Sequence, residues 1–222
     1  HDWLHKIINN ISNYTNLKII NSTTLFAYMH NNYLLAIQNI KPLIHPNQKP
    51  NNLRQIIWKI RAKKVILATG AIERPLTFHN NDRPGIMLAN SSKKYLNYYG
   101  VIPGNETIIF TNNDDAYKTA IDFHNEGISV KAIVDVRKET SGDLPKKALS
   151  LGIKVYLSHV ITNTFGRFRI SSVIINKIDS SGKNIIGKPL QLNCDLLCVS
   201  GGWTPTVHLF SQSRGKLTYR ED

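Results

Sequence analysis

One strand–helix–strand run constrains this chain more than any other feature. Residues 107–111 read Thr-Ile-Ile-Phe-Thr, residues 114–126 carry apolar positions at helical spacing, and residues 129–136, with Ala132, Ile133 and Val134 at their centre, read as a second strand. Gly127 stops the helix. Two strands joined by such a helix lie parallel in one sheet and cross over right-handed. Around this core the pattern predicts further elements. Trp3, Leu4, Ile7, Ile8 and Ile11 space a helix over 3–13. A short strand is expected at 17–20, then a meander of strands at 23–28, 33–40 and 56–60. Pro42, Pro46 and Pro50 make 41–52 a loop, expected to be the most mobile stretch. Helices follow at 91–99 and 144–151, with strands at 153–157, 159–165, 169–177, 190–193 and 195–200.

Two strand exits carry the chemistry. Residues 64–68 read as a buried strand running into Thr69 and Gly70, and residues 195–200 as a second running into Gly201, Gly202 and Trp203. Glycine removes the Cβ at such an exit, so backbone can approach a pyrophosphate or a cofactor ring edge. Either exit alone is also what an ordinary strand-to-loop turn looks like. Equally informative is the lack of any G-x-G-x-x-G. Its place, after residue 110, is taken by Thr111, Asn112, Asn113, Asp114 and Asp115. Side chains there obstruct a phosphate, and carboxylates at the helix start satisfy its free N–H groups and repel an anion. Asp135 stands about twenty residues on, where a ribose-binding acid usually sits. The run therefore reads as the shell of a nucleotide fold with its phosphate site closed.

These blocks resemble a known family. Ala68 to Pro75 (Ala-Thr-Gly-Ala-Ile-Glu-Arg-Pro), Asn80 to Met87 (Asn-Asn-Asp-Arg-Pro-Gly-Ile-Met), Tyr95 to Gly100, Phe110 to Asp114, Ser200 to Trp203 and His208 to Ser213 look like the alpha subunits of heterotetrameric sarcosine oxidases. The likeness runs from about residue 14 to the end. The Ala-Thr-Gly block is shared with amine, proline and opine dehydrogenase subunits. Family members begin with a G-x-G-x-x-G unit and end in a folate-binding domain. Neither is in these residues, so the chain is expected to be an internal fragment or partial gene product. The resemblance implies NAD in this subunit and FAD and FMN in the complex, the flavins on or against the beta subunit, which holds the amine site. It implies beta, gamma and delta partner subunits. It also implies oxidation of sarcosine with oxygen to glycine and hydrogen peroxide, the one-carbon unit passing to tetrahydrofolate or leaving as formaldehyde.

The expected fold is α/β: an FAD/NAD(P)-binding Rossmann-like three-layer domain, residues 1–104 plus 188–222, with an inserted nucleotide-binding-like βαβ domain at 105–187. Cofactor contacts are expected from Thr24 and Leu25 on the adenine side, and from Thr69, Gly70, Glu73, Arg74, Gly201, Gly202 and Trp203. No residue stands out as a catalytic acid, base or nucleophile. His79, His159 and His208 lack metal-ligand spacing, and Glu73-Arg74 and Asp82-Arg83 read as solvated or loop-fixing ion pairs. Cys194 and Cys198 read as core packing in a reducing compartment.

Composition narrows the partners. Twenty-eight basic against 15 acidic residues give a net charge of +13, but the basic residues are scattered. No basic tract with interleaved aromatics appears, so nucleic acid is not an expected partner. No apolar run approaches the ~18 residues of a membrane span, and a leader is expected to be absent or lost with whatever preceded His1; a cytoplasmic location is expected. Two rivals stand beside the main reading: a subunit of another amine, proline or opine dehydrogenase, and a non-catalytic scaffold that uses its charge to hold an acidic partner.

Overall fold

The computed structural model describes residues 2–40 and 54–219. The expected loop at 41–52 lies outside them. The chain divides into two compact units: His1–Gly70 with Thr206–Asp222, and Ala71–Pro205. The division thus falls at Gly70 and Pro205, whereas 104 and 188 were expected.

In the first unit, α1 spans Asp2–Ser12. Then β1 (Thr23–Met29), β2 (Tyr33–Asn39) and β3 (Gln55–Arg61) form the antiparallel meander, in that order. The β1–β2 turn places Asn31 and Asn32 at φ +57° and +52°, a left-handed conformation that Asn tolerates better than most residues. Two expectations fail here. Residues 17–20 are not a strand, and neither are 64–68. Ile66 is 92 % exposed. A strand needs a ladder partner, and no described strand pairs with 64–68. Among the described residues of this unit, only Leu34 and Ala36 are buried. Trp3, Leu4, Ile8, Phe26 and Ile57 all keep their apolar faces in solvent.

The second unit has three layers. Its first strand, β4 (Ala71–Glu73), leads to β5 (Ile86–Leu88), α2 (Ala89–Tyr99), β6 (Glu106–Thr111), α3 (Asp115–Asn125), β7 (Ser129–Asp135), α4 (Asp143–Ser150) and β8 (Val155–Leu157). Three antiparallel strands follow, β9 (His159–Phe165), β10 (Ser172–Ile178) and β11 (Ile185–Asn193), before the chain returns as β12 (Leu196–Ser200) and β13 (Trp203–Pro205). The last helix, α5 (His208–Gln212), belongs to the first unit.

The central sheet is parallel, in the order β5–β12–β6–β7–β8. Side-chain alternation explains the layers. Ile109, Ile133, Leu196 and Cys198 pack against Ala116, Tyr117, Ala120 and Ala148 of the helices. Ile108, Phe110, Val134, Leu197 and Val199 face the other way, onto Ile161, Val173 and Ile175 of the antiparallel sheet. Strands covered on both faces read as continuous apolar runs, which is why β6, β7 and β12 were legible. Cys194 and Cys198 are free and buried. Because β5 and β12 hydrogen-bond into the same sheet as β6–β8, residues 86–88 and 196–200 share one core with 105–187.

Candidate functional site

The second unit has the strand reversal at which nucleotide folds bind ligands. The chain moves from β6 outward to β7 and β8, while β12 and β5 lie on the other side of β6. Ligands of open α/β sheets sit where the order reverses, at the carboxyl ends of such strands. Here those are the ends of β6 and β12, and side chains fill the place. Asn113 donates from Nδ2 to the Ser200 hydroxyl at 3.1 Å and to its carbonyl at 3.3 Å. Asn112 N–H reaches the Ser200 carbonyl at 3.4 Å. Asn113 also caps α3, its Oδ1 accepting from the Asp115 N–H at 3.1 Å. This corrects the expected cap: Asp114, at the N-cap position, makes no side-chain cap bond.

Asp114 turns to Arg137 instead, with Nη1 2.7 Å from its Oδ1. The same guanidinium holds Asp135: Nε donates to Oδ1 at 3.1 Å and Nη2 to Oδ2 at 2.7 Å. Arg137 N–H adds a bond to Oδ1 at 2.9 Å, and the Tyr117 hydroxyl donates to Oδ2 at 2.8 Å. Asp135 and Tyr117 are fully buried. Burial, and after it the Asp135 charge, push the Tyr117 phenol well above its usual range. The hydrogen bond to Asp135 raises the Arg137 guanidinium further, against burial. Sequence reading found both acids but not Arg137 or Tyr117. A local signal was there: Arg137 stands two residues after Asp135, in the bend that follows the end of β7.

The expected cofactor contacts separate into two groups. In the second unit, Glu73 is buried and accepts from the Asn90 N–H at the start of α2, at 2.9 Å. Burial, partly offset by that bond and by the Ser200 hydroxyl, raises its carboxyl. Neither expected ion pair at Glu73-Arg74 or Asp82-Arg83 occurs among the described residues; Arg83 instead donates to the Gly166 carbonyl. Gly201 N–H, expected to face a ligand, donates to the Arg74 carbonyl at 2.6 Å, and Arg74 N–H to the Gly202 carbonyl at 2.8 Å. A Cβ on Gly201 would stand 2.9 Å from the Pro75 carbonyl oxygen, so this glycine lets two stretches of backbone meet. Trp203 pairs with Glu73 in the β4–β13 ladder and is 40 % exposed.

In the first unit, Thr24 and Leu25 lie on β1 opposite Ile37 and Ala36. The Thr69 hydroxyl donates to the Thr206 carbonyl at 2.7 Å, and Thr206 N–H to the Gly70 carbonyl at 2.9 Å. Gly70 has φ +69° with open space around it, so the left-handed turn, not a close approach within the chain, calls for glycine. Among the described residues no helix is long and apolar enough to cross a membrane, and no cluster of His, Cys, Asp or Glu could hold a metal.

Comparison with known proteins places these features. The chain is 38 % identical over 199 residues to the sarcosine oxidase subunit alpha of Corynebacterium sp. (strain P-1), covering 89 % of this chain and 20 % of that subunit. The same subunit of Corynebacterium sp. (strain U-96) is 35 % identical over 98 % of this chain, and that of Rhizobium meliloti (strain 1021) 34 % over 90 %. The chain spans about a fifth of the length of these relatives. No protein-family model matches it. Among solved structures, T. acidophilum thioredoxin reductase superposes with a TM-score of 0.68 at 13 % identity, over 99 % of this chain and 64 % of that one. L-proline dehydrogenase from P. horikoshii gives 0.56 at 21 %, over 97 % and 34 %. The fold is that of the FAD/NAD(P)-binding oxidoreductases, as expected. The chain is a relative of one part of the sarcosine oxidase alpha subunit.

Proposed function

We propose that this chain is a dinucleotide-binding part of a sarcosine-oxidase-type alpha subunit, working in a flavin-dependent complex that oxidises an amine at its CH–NH group. The reading rests on one observation: identity of 34–38 % to such subunits over 89–98 % of the chain. In this reading the first unit is the remnant of the first dinucleotide domain, and it contributes to an NAD site. Thr24, Leu25, Thr69 and Gly70 are its candidate contacts. They fit that role in one respect: open space lies beside Gly70, where a cofactor backbone could approach without meeting a side chain. NAD supplies a hydride acceptor when bound; this chain's own residues contribute backbone position and a gap. Glu73, Arg74, Gly201, Gly202 and Trp203, the remaining expected contacts, act one step back in this reading, on and beside the β4–β13 ladder of the second unit.

FAD and FMN belong to the complex in this reading, with beta, gamma and delta subunits as partners and tetrahydrofolate bound outside these residues. The substrate is sarcosine, the oxidant oxygen, and the location cytoplasmic. The test is oxygen uptake and peroxide release, and in parallel the reduction of an added artificial electron acceptor, by the complex that carries this chain, with sarcosine, proline and octopine as donors. Turnover of sarcosine above the other two supports the proposal. Turnover of proline or octopine without sarcosine replaces it with the corresponding dehydrogenase, and no turnover of any amine favours a scaffold.

A further inference from the structure

We infer that the nucleotide fold of the second unit is closed by an occupant of its own: the Arg137 guanidinium stands between the acid that would hold a ribose and the helix end that would hold a phosphate. This closure involves residues of the second unit alone and does not depend on the proposed function.

Three observations converge on it. First, Asp135 ends β7, the strand position from which a carboxylate accepts ribose hydroxyls in dinucleotide folds. Both its oxygens are already used, by two guanidinium nitrogens, a backbone N–H and the Tyr117 hydroxyl. Second, a diphosphate would sit at the start of α3. Asp114 occupies that end, and its carboxylate pairs with the third guanidinium nitrogen of Arg137. Third, the β7–α4 loop presses on the same group: a Cβ on Gly142 would collide with Asp114 Oδ2. With Asn112 and Asn113 crossing to Ser200, the space is bridged in both directions.

An arginine near a nucleotide fold can also be read as a phosphate ligand, since some such folds use one to hold a 2′-phosphate. Two facts decide against it. All three nitrogens of the guanidinium are engaged by carboxylates. And two carboxylates around one guanidinium leave the trio with a net negative charge, which repels a phosphate. A ligand would have to pull the fork away from a fully buried carboxylate, leaving that charge unpaired. The closure is therefore part of the domain's stability. The second unit serves as a rigid body, and a dinucleotide held by this chain is held elsewhere.

The experiment uses the 222-residue chain with ADP as probe, followed by nuclear magnetic resonance of the Arg137 Nε–H and of the β6 and β7 amides. With the natural chain, millimolar ADP leaves these signals unmoved. The double variant Arg137→Ala/Asp114→Asn removes the occupant and the repelling charge, and it binds ADP at least about tenfold more tightly than the natural chain. Movement of the Arg137 signal by ADP in the natural chain overturns the inference. So does a folded double variant that binds no better than the natural chain. If the variant does not fold, the natural chain's titration decides alone. Loss of amine turnover in the complex would leave this result untouched, so the two readings fail separately.

Discussion

Tyr117→Phe tests the buried network at its least disruptive point. The substitution deletes one oxygen and keeps the ring, which packs in the helix-side core. It removes the 2.8 Å bond to Asp135 and leaves that carboxylate with the three donors of Arg137. The phenol's own desolvation is saved, but a buried charged acceptor loses a partner, and such bonds are worth about 1.5–3 kcal/mol. The expected loss is therefore about 2 kcal/mol. Because the chain has two units, one melting curve would mix them. Hydrogen exchange of the Ile109 and Ile133 amides, in the core strands of the second unit, reads its opening directly. A loss below about 0.5 kcal/mol would refute the reasoning and show that Arg137 alone satisfies Asp135. The same substitution has a pH signature. Burial raises the folded phenol's pKa above its unfolded value, so its contribution is complete below pH of about 10 and is lost as pH rises through the folded value. The natural chain should lose stability above pH about 10 more steeply than the variant, whose curve lacks this component.

Both cysteines are pushed up to about 12, by burial first, so neither should react with Ellman's reagent in the folded chain at a pH of about 8. Two thiols should appear on denaturation; a fast-reacting native thiol would contradict the burial argument. Glu73→Gln should match the natural chain within about 1 kcal/mol at neutral pH, whereas Glu73→Ala should lose about 1 kcal/mol through the uncapped start of α2. Since burial raises the Glu73 carboxyl, its contribution is present below the unfolded pKa and is lost as pH rises through the folded one. Hydrogen exchange of the Ile109 and Ile133 amides at pH of about 4 and about 7 checks the sign: a natural chain that gains on the Gln variant between them would reverse it. Gly201→Ala should cost about 1–3 kcal/mol, because its Cβ meets backbone oxygens of Arg74 and Pro75 that cannot swing away. Gly70→Ala meets no atom and should cost only the left-handed turn, about 1 kcal/mol; equal losses at the two glycines, read by hydrogen exchange of strand amides in each glycine's own unit, would remove the distinction.

The sequence by itself determined the parallel core. Residues 108–110, 132–134 and 196–199 are apolar without alternation because both faces of β6, β7 and β12 are covered there, and that pattern needs no partner to be read. It also showed that a nucleotide fold lacked its glycines. It could not show what stood in their place. The Asp135–Arg137 contact joins residues two apart, but Asp114 and Tyr117 reach them only after β6, α3 and β7 have packed. Likewise, residues 64–68 have a strand's composition, yet whether a strand forms depends on a ladder partner, which is a property of the fold and not of the segment. The unit boundary shows the same division. Composition changes little around 104 or 188, and only the hydrogen bonds of β5 and β12 to the central sheet assign their residues to one core. Periodicity is local and can be read from the chain; which side chains meet across distant strands is settled by packing.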